Sequence, residues 1–152
     1  WYDNGRVKSA GEVLGDHRTG TWVYRYDNGK RRAKGAFDEQ GRRGHWRTWH
    51  SNGRSSGDGG YVQDRKHGSW TLRHASGEKA EQGSYEHGLR NGRWRSWHPD
   101  GEKASRGQYL DGAKVGRWIA WDRAGVRVVT RHGEGEAEEQ ASDSGDDLRS
   151  QD

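Results

Sequence analysis

Three histidines occupy one position of a regular spacing. His50, His74 and His98 follow one another at intervals of 24 residues. Regularly spaced imidazoles raise the question of a metal site, because His is a common metal ligand. If each interval holds two strands, as argued below, neighbouring histidines lie about 9.6 Å apart, whereas ligands of one zinc ion each lie about 2 Å from it. We therefore predict no metal and no cofactor, and assign these histidines to the place that Tyr26 holds one unit earlier.

A second set of side chains has the chemistry of a binding surface. Strand alternation, described below, places two rows on one face, which we call the arginine face. One row is Arg25, Trp49, Arg73, Trp97 and Trp121, and the other is Val23, Arg47, Thr71, Arg95 and Ile119. Trp and Arg are enriched among the residues that dominate interface energetics, so their indoles and guanidinium groups form our hypothetical partner-binding set. The alternative is structural, with the indoles covering the sheet and the guanidinium groups stacked on them.

Catalytic chemistry has no comparable pattern. The chain lacks a nucleophile elbow, a phosphate-binding loop, a zinc-protease motif and a dinucleotide fingerprint. We predict that the protein is not an enzyme and name no catalytic residues.

Composition narrows the fold. Of 152 residues only 27% are hydrophobic, yet nine are Trp, six are Tyr and 25 are Gly. With so few aliphatic side chains the protein cannot build a thick hydrophobic core, while its aromatic content is unlike that of a disordered chain. With no Cys, disulfides and thiolate sites are also excluded.

Charge divides the chain into two parts. Residues 133–152 hold eight acidic side chains against Arg149, a net of -7, which leaves +11 on residues 1–132. We predict a folded basic domain at 1–132 and a disordered acidic tail at 133–152. Because the chain begins at Trp1 rather than Met, we expect it to be a fragment, and the compartment stays open, with the cytoplasm favoured.

Internal repeats explain the Trp and Gly content. Gly-x-Trp recurs every 24 residues, ending at Trp22, Trp46, Trp70, Trp94 and Trp118. Gly-x-aromatic keeps the same period, beginning at Gly35, Gly59, Gly83 and Gly107 and ending at Phe37, Tyr61, Tyr85 and Tyr109. Repeats of this length indicate an array in which each unit packs on its neighbours.

Each unit reads as a β-hairpin. Trp22 and Tyr24 alternate with Val23 and Arg25, and Asn28-Gly29 predicts a two-residue type I′ turn. That turn would place Trp22 opposite Gly35, where the bare glycine would leave room for the indole of Trp22. The same spacing predicts aromatic contacts such as Phe37 with Trp46. Stacked hairpins give an all-β fold: an elongated, single-layer antiparallel sheet of about five units plus a partial N-terminal one.

The unit resembles the MORN (membrane occupation and recognition nexus) repeat, most closely its bacterial variant. The best copies are Gly44-His45-Trp46-Arg47-Thr48-Trp49 and the stretch from Gly92 to Gly101, and the resemblance extends over about 1–130. It implies the same hairpin sheet. Bacterial chains of this kind are often grouped as YwqK-type and antitoxin-like, while other members of the wider family are linked to membranes and scaffolding. Arg25 and Arg73 depart from the pattern by replacing the second aromatic residue.

The combined expectation is a module that binds a protein partner through the arginine face, with toxin neutralisation as one concrete form. The alternatives are a membrane-associated module that binds anionic lipid headgroups and a glycan-binding repeat. Basic charge mixed with 15 acidic residues in 1–132 allows weak, salt-sensitive attraction to an anionic lipid surface but argues against specific nucleic-acid binding.

Overall fold

The chain forms one antiparallel sheet in a computed structural model that describes residues 1–133 and the backbone of 136–142. Twelve strands are hydrogen-bonded to one another in sequence order. They are β1 Ser9–Leu14, β2 His17–Arg25, β3 Arg31–Asp38, β4 Gly41–Trp49, β5 Ser55–Val62, β6 Arg65–Arg73, β7 Lys79–Glu86, β8 Leu89–Trp97, β9 Lys103–Leu110, β10 Ala113–Trp121, β11 Arg127–Gly133 and β12 Glu136–Ser142. The predicted all-β, single-layer architecture is confirmed. In the described part of the chain, no helix has the length and apolar character needed to cross a membrane.

The acidic segment is only partly described. Most of residues 133–152, for which the sequence predicts disorder, lies outside the described residues. Within it, the backbone of Glu136–Ser142 forms β12, which pairs with β11 so that Glu139 stands in register with Arg131.

The hairpin turns differ from the predicted type I′ geometry. The N–H of Gly29 donates to the carbonyl of Tyr26, and the N–H of Tyr26 donates to the carbonyl of Lys30, each at 2.9 Å. These bonds enclose a three-residue loop, in which Gly29 has a φ of 84° and Asn28 is not among the residues with positive φ. This is the pattern of a type I turn followed by a left-handed glycine. The predicted two-residue turn is therefore wrong.

The predicted pairing of Trp22 with Gly35 is nevertheless present, because two offsets cancel. The three-residue loop puts Arg25 opposite Arg31, one residue out of the predicted register, and Tyr24 then pairs with Ala33. Arg32 is the extra residue of this bulge, and it restores the register for the rest of the hairpin.

A wider bulge between hairpins explains the Gly-x-Trp motif. Lys34 pairs with Arg47 and Ala36 with Arg43, so Gly35 lies opposite the three residues 44–46. Gly44 begins this bulge with a φ of 65°, a conformation that glycine adopts without the steric cost of a side chain. Trp46 ends it, and its indole turns back over β3.

Each indole covers a glycine, but not the one that the sequence predicted. A methyl group on Gly35 would overlap the indole of Trp46, whereas the indole of Trp22 lies on Gly11 of the preceding strand. The Nε1–H of Trp46 donates to the carbonyl of Ala36 at 3.2 Å. The predicted cover of Gly35 by Trp22 is wrong: each indole reaches across the bulge to the preceding unit. The same cover occurs on Gly59, Gly83 and Gly107 from Trp70, Trp94 and Trp118.

The aromatic residues form one continuous ladder on the face opposite the arginine face, which we call the ladder face. Phe37 contacts Trp46 edge-on, with ring centroids 5.2 Å apart, as the spacing predicts. Equivalent contacts join the following pairs at 4.9–5.3 Å: Tyr61 with Trp70, Tyr85 with Trp94, and Tyr109 with Trp118. The five ladder tryptophans are only 3–8% exposed. They supply most of the core that a single-layer sheet can have.

Replacing Gly83 with Ala tests the cover of glycine by indole. Gly83 has no positive φ, so the added methyl group acts only by colliding with Trp94. We expect a destabilisation of about 1–3 kcal/mol, typical of overpacking, measured by urea unfolding. Ser84→Ala is the control, because Ser84 is the next residue and is exposed, and it should change the midpoint little. Equal midpoints for the two variants would contradict the packing.

Candidate functional site

The ladder face is covered by a row of cations that the sequence analysis missed. The guanidinium of Arg42 lies 4.2 Å from the ring centroid of Tyr61, and the guanidinium of Arg90 lies 4.4 Å from the ring centroid of Trp94. Arg18, Lys66 and Lys114 take equivalent places over Trp22, Trp70 and Trp118. The signal was available, since a cation stands four residues before each ladder tryptophan. Without a second layer of structure, the stems and charged groups of these residues form the cover.

Ion pairs hold parts of this cover in place. Arg42 donates from Nε to Oδ1 of Asp64 at 2.6 Å and from Nη1 to the hydroxyl of Tyr61 at 3.0 Å. The hydrogen bond from Arg42 lowers the pKa of Asp64, and burial raises the pKa of Tyr61. Arg90 is held similarly by Glu81, at 2.6 Å. The aromatic rings of the ladder face are thus covered by cationic side chains of the same face.

The regularly spaced histidines connect neighbouring units at the turn edge of the sheet. Nε2 of His74 lies 2.7 Å from the carbonyl oxygen of Trp97. Because a carbonyl only accepts, the proton is on Nε2. The hydroxyl of Tyr26 makes the same contact with the carbonyl of Trp49, so His and Tyr hold equivalent positions. Among the described residues, no cluster of three or more potential ligand side chains could hold a metal ion.

Substituting His74 tests this bonding role by removing the hydrogen bond and then restoring it with another side chain. His74→Ala removes the bond to the Trp97 carbonyl and should lower the free energy of unfolding by about 1 kcal/mol. His74→Tyr should recover most of that loss, because tyrosine makes the bond at position 26. Thermal unfolding of the three proteins provides the measurement. If Tyr were no better than Ala, the hydrogen bond would not be the source of the effect.

On the arginine face, the predicted residues fall into two groups. Arg25 and Arg73 each donate to the carbonyl of the glycine in their own turn, at 3.1 Å. These two guanidinium groups therefore brace hairpins. Ile119 is buried, at 5% exposure, so it offers little surface to a partner.

The three tryptophans of the arginine face remain partly exposed. Trp49 lines a depression of about 310 Å³ together with Arg31, Lys34 and Arg47. A cation lies over each indole at 5.7–6.0 Å: Arg31 over Trp49, Lys79 over Trp97 and Arg106 over Trp121. Stacking of a cation on an indole, the structural alternative, therefore occurs while part of each ring stays accessible.

Trp97 and Trp121 share a second depression near the C-terminal end of the sheet. It has a volume of about 150 Å³ and also contains Arg95, Lys103 and Arg106. A third depression, of about 300 Å³, lies beside it. We call this one the arginine cup, and its principal lining residues are Arg93, Arg95, Arg106, Gln108, Arg117 and Ile119. Sequence analysis included Arg95 but missed the other three arginines, because strand pairing brings them together from β8, β9 and β10.

Residues 90–111 match the MORN repeat variant family. The matched stretch contains nearly all of β8, its turn and all of β9, which is one hairpin of the array. Its packing is shared by the hairpins before it, so the match supports the MORN resemblance drawn from the motifs. The match carries no information on antitoxin-like activity. No curated protein matches the chain.

Proposed function

We propose that the protein is a non-enzymatic binding module that holds a protein partner on the arginine face. Trp49, Trp97 and Trp121 would be the apolar anchors, and Arg47 and Arg95 would give polar contacts beside them. The observation that carries this proposal is the depression in which Trp97 and Trp121 lie beside Arg95, Lys103 and Arg106. A partly exposed indole next to guanidinium groups has the composition of an interface hot spot.

The contrast between the two faces supports the choice of surface. Ladder-face indoles are nearly inaccessible and already carry their own cations. Arginine-face indoles keep accessible area beside open depressions. Arg25 and Arg73, which belong to the predicted binding set, are engaged with their turns and would contribute less to the interface.

Toxin neutralisation is the concrete form that we retain from the resemblance to YwqK-type chains. Such a function needs no chemistry from this protein, because blocking a partner requires only a stable interface. A module that binds anionic lipid headgroups or glycans is the competing proposal, and the experiment below separates the three.

Affinity capture from a lysate of the source cell tests the proposal, with the 152-residue chain as bait and washes at low and high salt. A protein retained at high salt is then purified, and its affinity is measured for the parent chain and for Trp97→Ala. We expect a loss of about 30-fold, as for a hot-spot residue. Trp97→Arg is a second variant, because the equivalent position already holds Arg73, and it should fold normally but bind weakly. Trp1→Ala, which removes an 83% exposed indole elsewhere, is the control.

Other outcomes would contradict partner binding. Capture of lipid alone, lost at high salt and insensitive to Trp97, would indicate an electrostatic membrane surface. Retention of a glycan that depends on Trp97 and ignores salt would indicate sugar stacking. A captured protein whose affinity is the same for all variants would place its site elsewhere on the chain.

A further inference from the structure

The arginine cup concentrates more positive charge than the equivalent positions of the two preceding units carry. Arg95 stands directly opposite Arg106 in the β8–β9 register, and Arg93 and Arg117 complete the lining. Like charges directly opposite each other destabilise a sheet. Within residues 1–133, none of these four arginines takes part in an ion pair, and no acidic residue lines the cup.

Earlier units of the same chain show that the fold accepts other residues at these positions. One unit before, the pair equivalent to Arg95 and Arg106 is Thr71 with Gln82. Two units before, it is Arg47 with Asp58. The positions equivalent to Arg93 and Arg117 hold His45 and Ser69. Neutral or oppositely charged pairs therefore build the same sheet, and the four arginines are a local departure from the repeat.

From this departure we propose that the arginine cup binds an acidic segment of the partner protein, rich in Asp and Glu. The inference rests on the proposed function and specifies the chemistry of the partner. Guanidinium groups from three adjacent strands converge on one depression, and their planar donors suit carboxylates. Trp97 and Trp121 line the depression next to the cup. Apolar side chains of the partner's acidic segment would pack against these two indoles. Charge complementarity selects the occupant.

The test uses the full chain and labelled peptides in fluorescence anisotropy. The main probe is a ten-residue peptide of alternating Glu and Ala, with its Gln and Ala counterpart as the neutral comparison. Arg95→Thr/Arg106→Gln copies the Thr71 and Gln82 pair that the sheet already tolerates, so folding should be preserved. We expect it to weaken binding of the acidic peptide about tenfold.

The matched control removes the same number of charges away from the proposed interface. Arg65 and Arg123 are exposed, and neither lines the arginine cup. Arg65→Gln/Arg123→Gln should change the affinity less than threefold. If both double variants weaken binding equally, the effect is one of net charge and the cup is not the site.

Two further arms identify the occupant. A single-stranded oligonucleotide of equal charge should bind without dependence on Arg95 and Arg106; cup-dependent binding of the oligonucleotide in place of the peptide would overturn the proposal. Asp143→Asn/Asp146→Asn/Asp147→Asn reduces the charge of the chain's own acidic segment. If only this variant bound the peptide, the chain's own segment would occupy the cup, and a separate partner would be excluded.

The peptide test and the capture test can fail independently. If a partner depends on Trp97 but is unaffected by Arg95→Thr/Arg106→Gln, the proposed function stands and the acidic specificity is wrong. If the cup binds the acidic peptide but no partner depends on Trp97, the cup stands and the proposed interface is wrong.

Discussion

Everything in this sheet depends on the contact between one indole and one glycine of the preceding unit. The indole lies flat on a strand position without a side chain, and its N–H replaces a ladder hydrogen bond where the bulge interrupts pairing. Because the glycine and the indole belong to successive units, each contact joins two hairpins. A sheet of one layer has no other way to bury large apolar area, so its stability is a sum of neighbour interactions. Cations over the rings take the place of a second layer.

This arrangement leaves the two faces with different roles. On the ladder face the aromatic rings pack against one another, and the arginines are held in place by carboxylates and by the rings. On the arginine face, equivalent positions hold different residues in neighbouring units. Thr71 corresponds to Arg95, and Gln82 corresponds to Arg106. Variation at outward positions of a repeat costs the fold little. The local accumulation of like charge there is the basis on which we propose an acidic partner segment.

Much of the fold followed from periodicity, because a strict interval and strand alternation fix which residues share a face. The hairpin pairing of Trp22 with Gly35 was predicted correctly, although the turn that produced the prediction was wrong. Asn-Gly favours a type I′ turn locally, but the hairpins use a three-residue loop, and in the four hairpins from β2–β3 to β8–β9 a bulge cancels its offset. Because the loop and the bulge shift the strand register by one residue in opposite directions, the pairing derived from the wrong turn type was still correct. The cations over the ladder face, in contrast, recur at the same interval as the tryptophans, so the spacing of the sequence alone could have predicted them.

The sequence alone determined the repeat length, the all-β class, the division into faces and the residues that form the aromatic ladder. These depend on spacing along one chain, which alternation converts directly into geometry. Tertiary structure decided which glycine each indole covers, that Arg25 and Arg73 bond to their own turns, and that four arginines converge in one cup. The bonds of Arg25 and Arg73 depend on the geometry of the turn within one hairpin, whereas the other two outcomes depend on how far one hairpin is offset against the next. That offset is fixed by wide bulges and side-chain packing between strands, which no spacing within a single hairpin encodes.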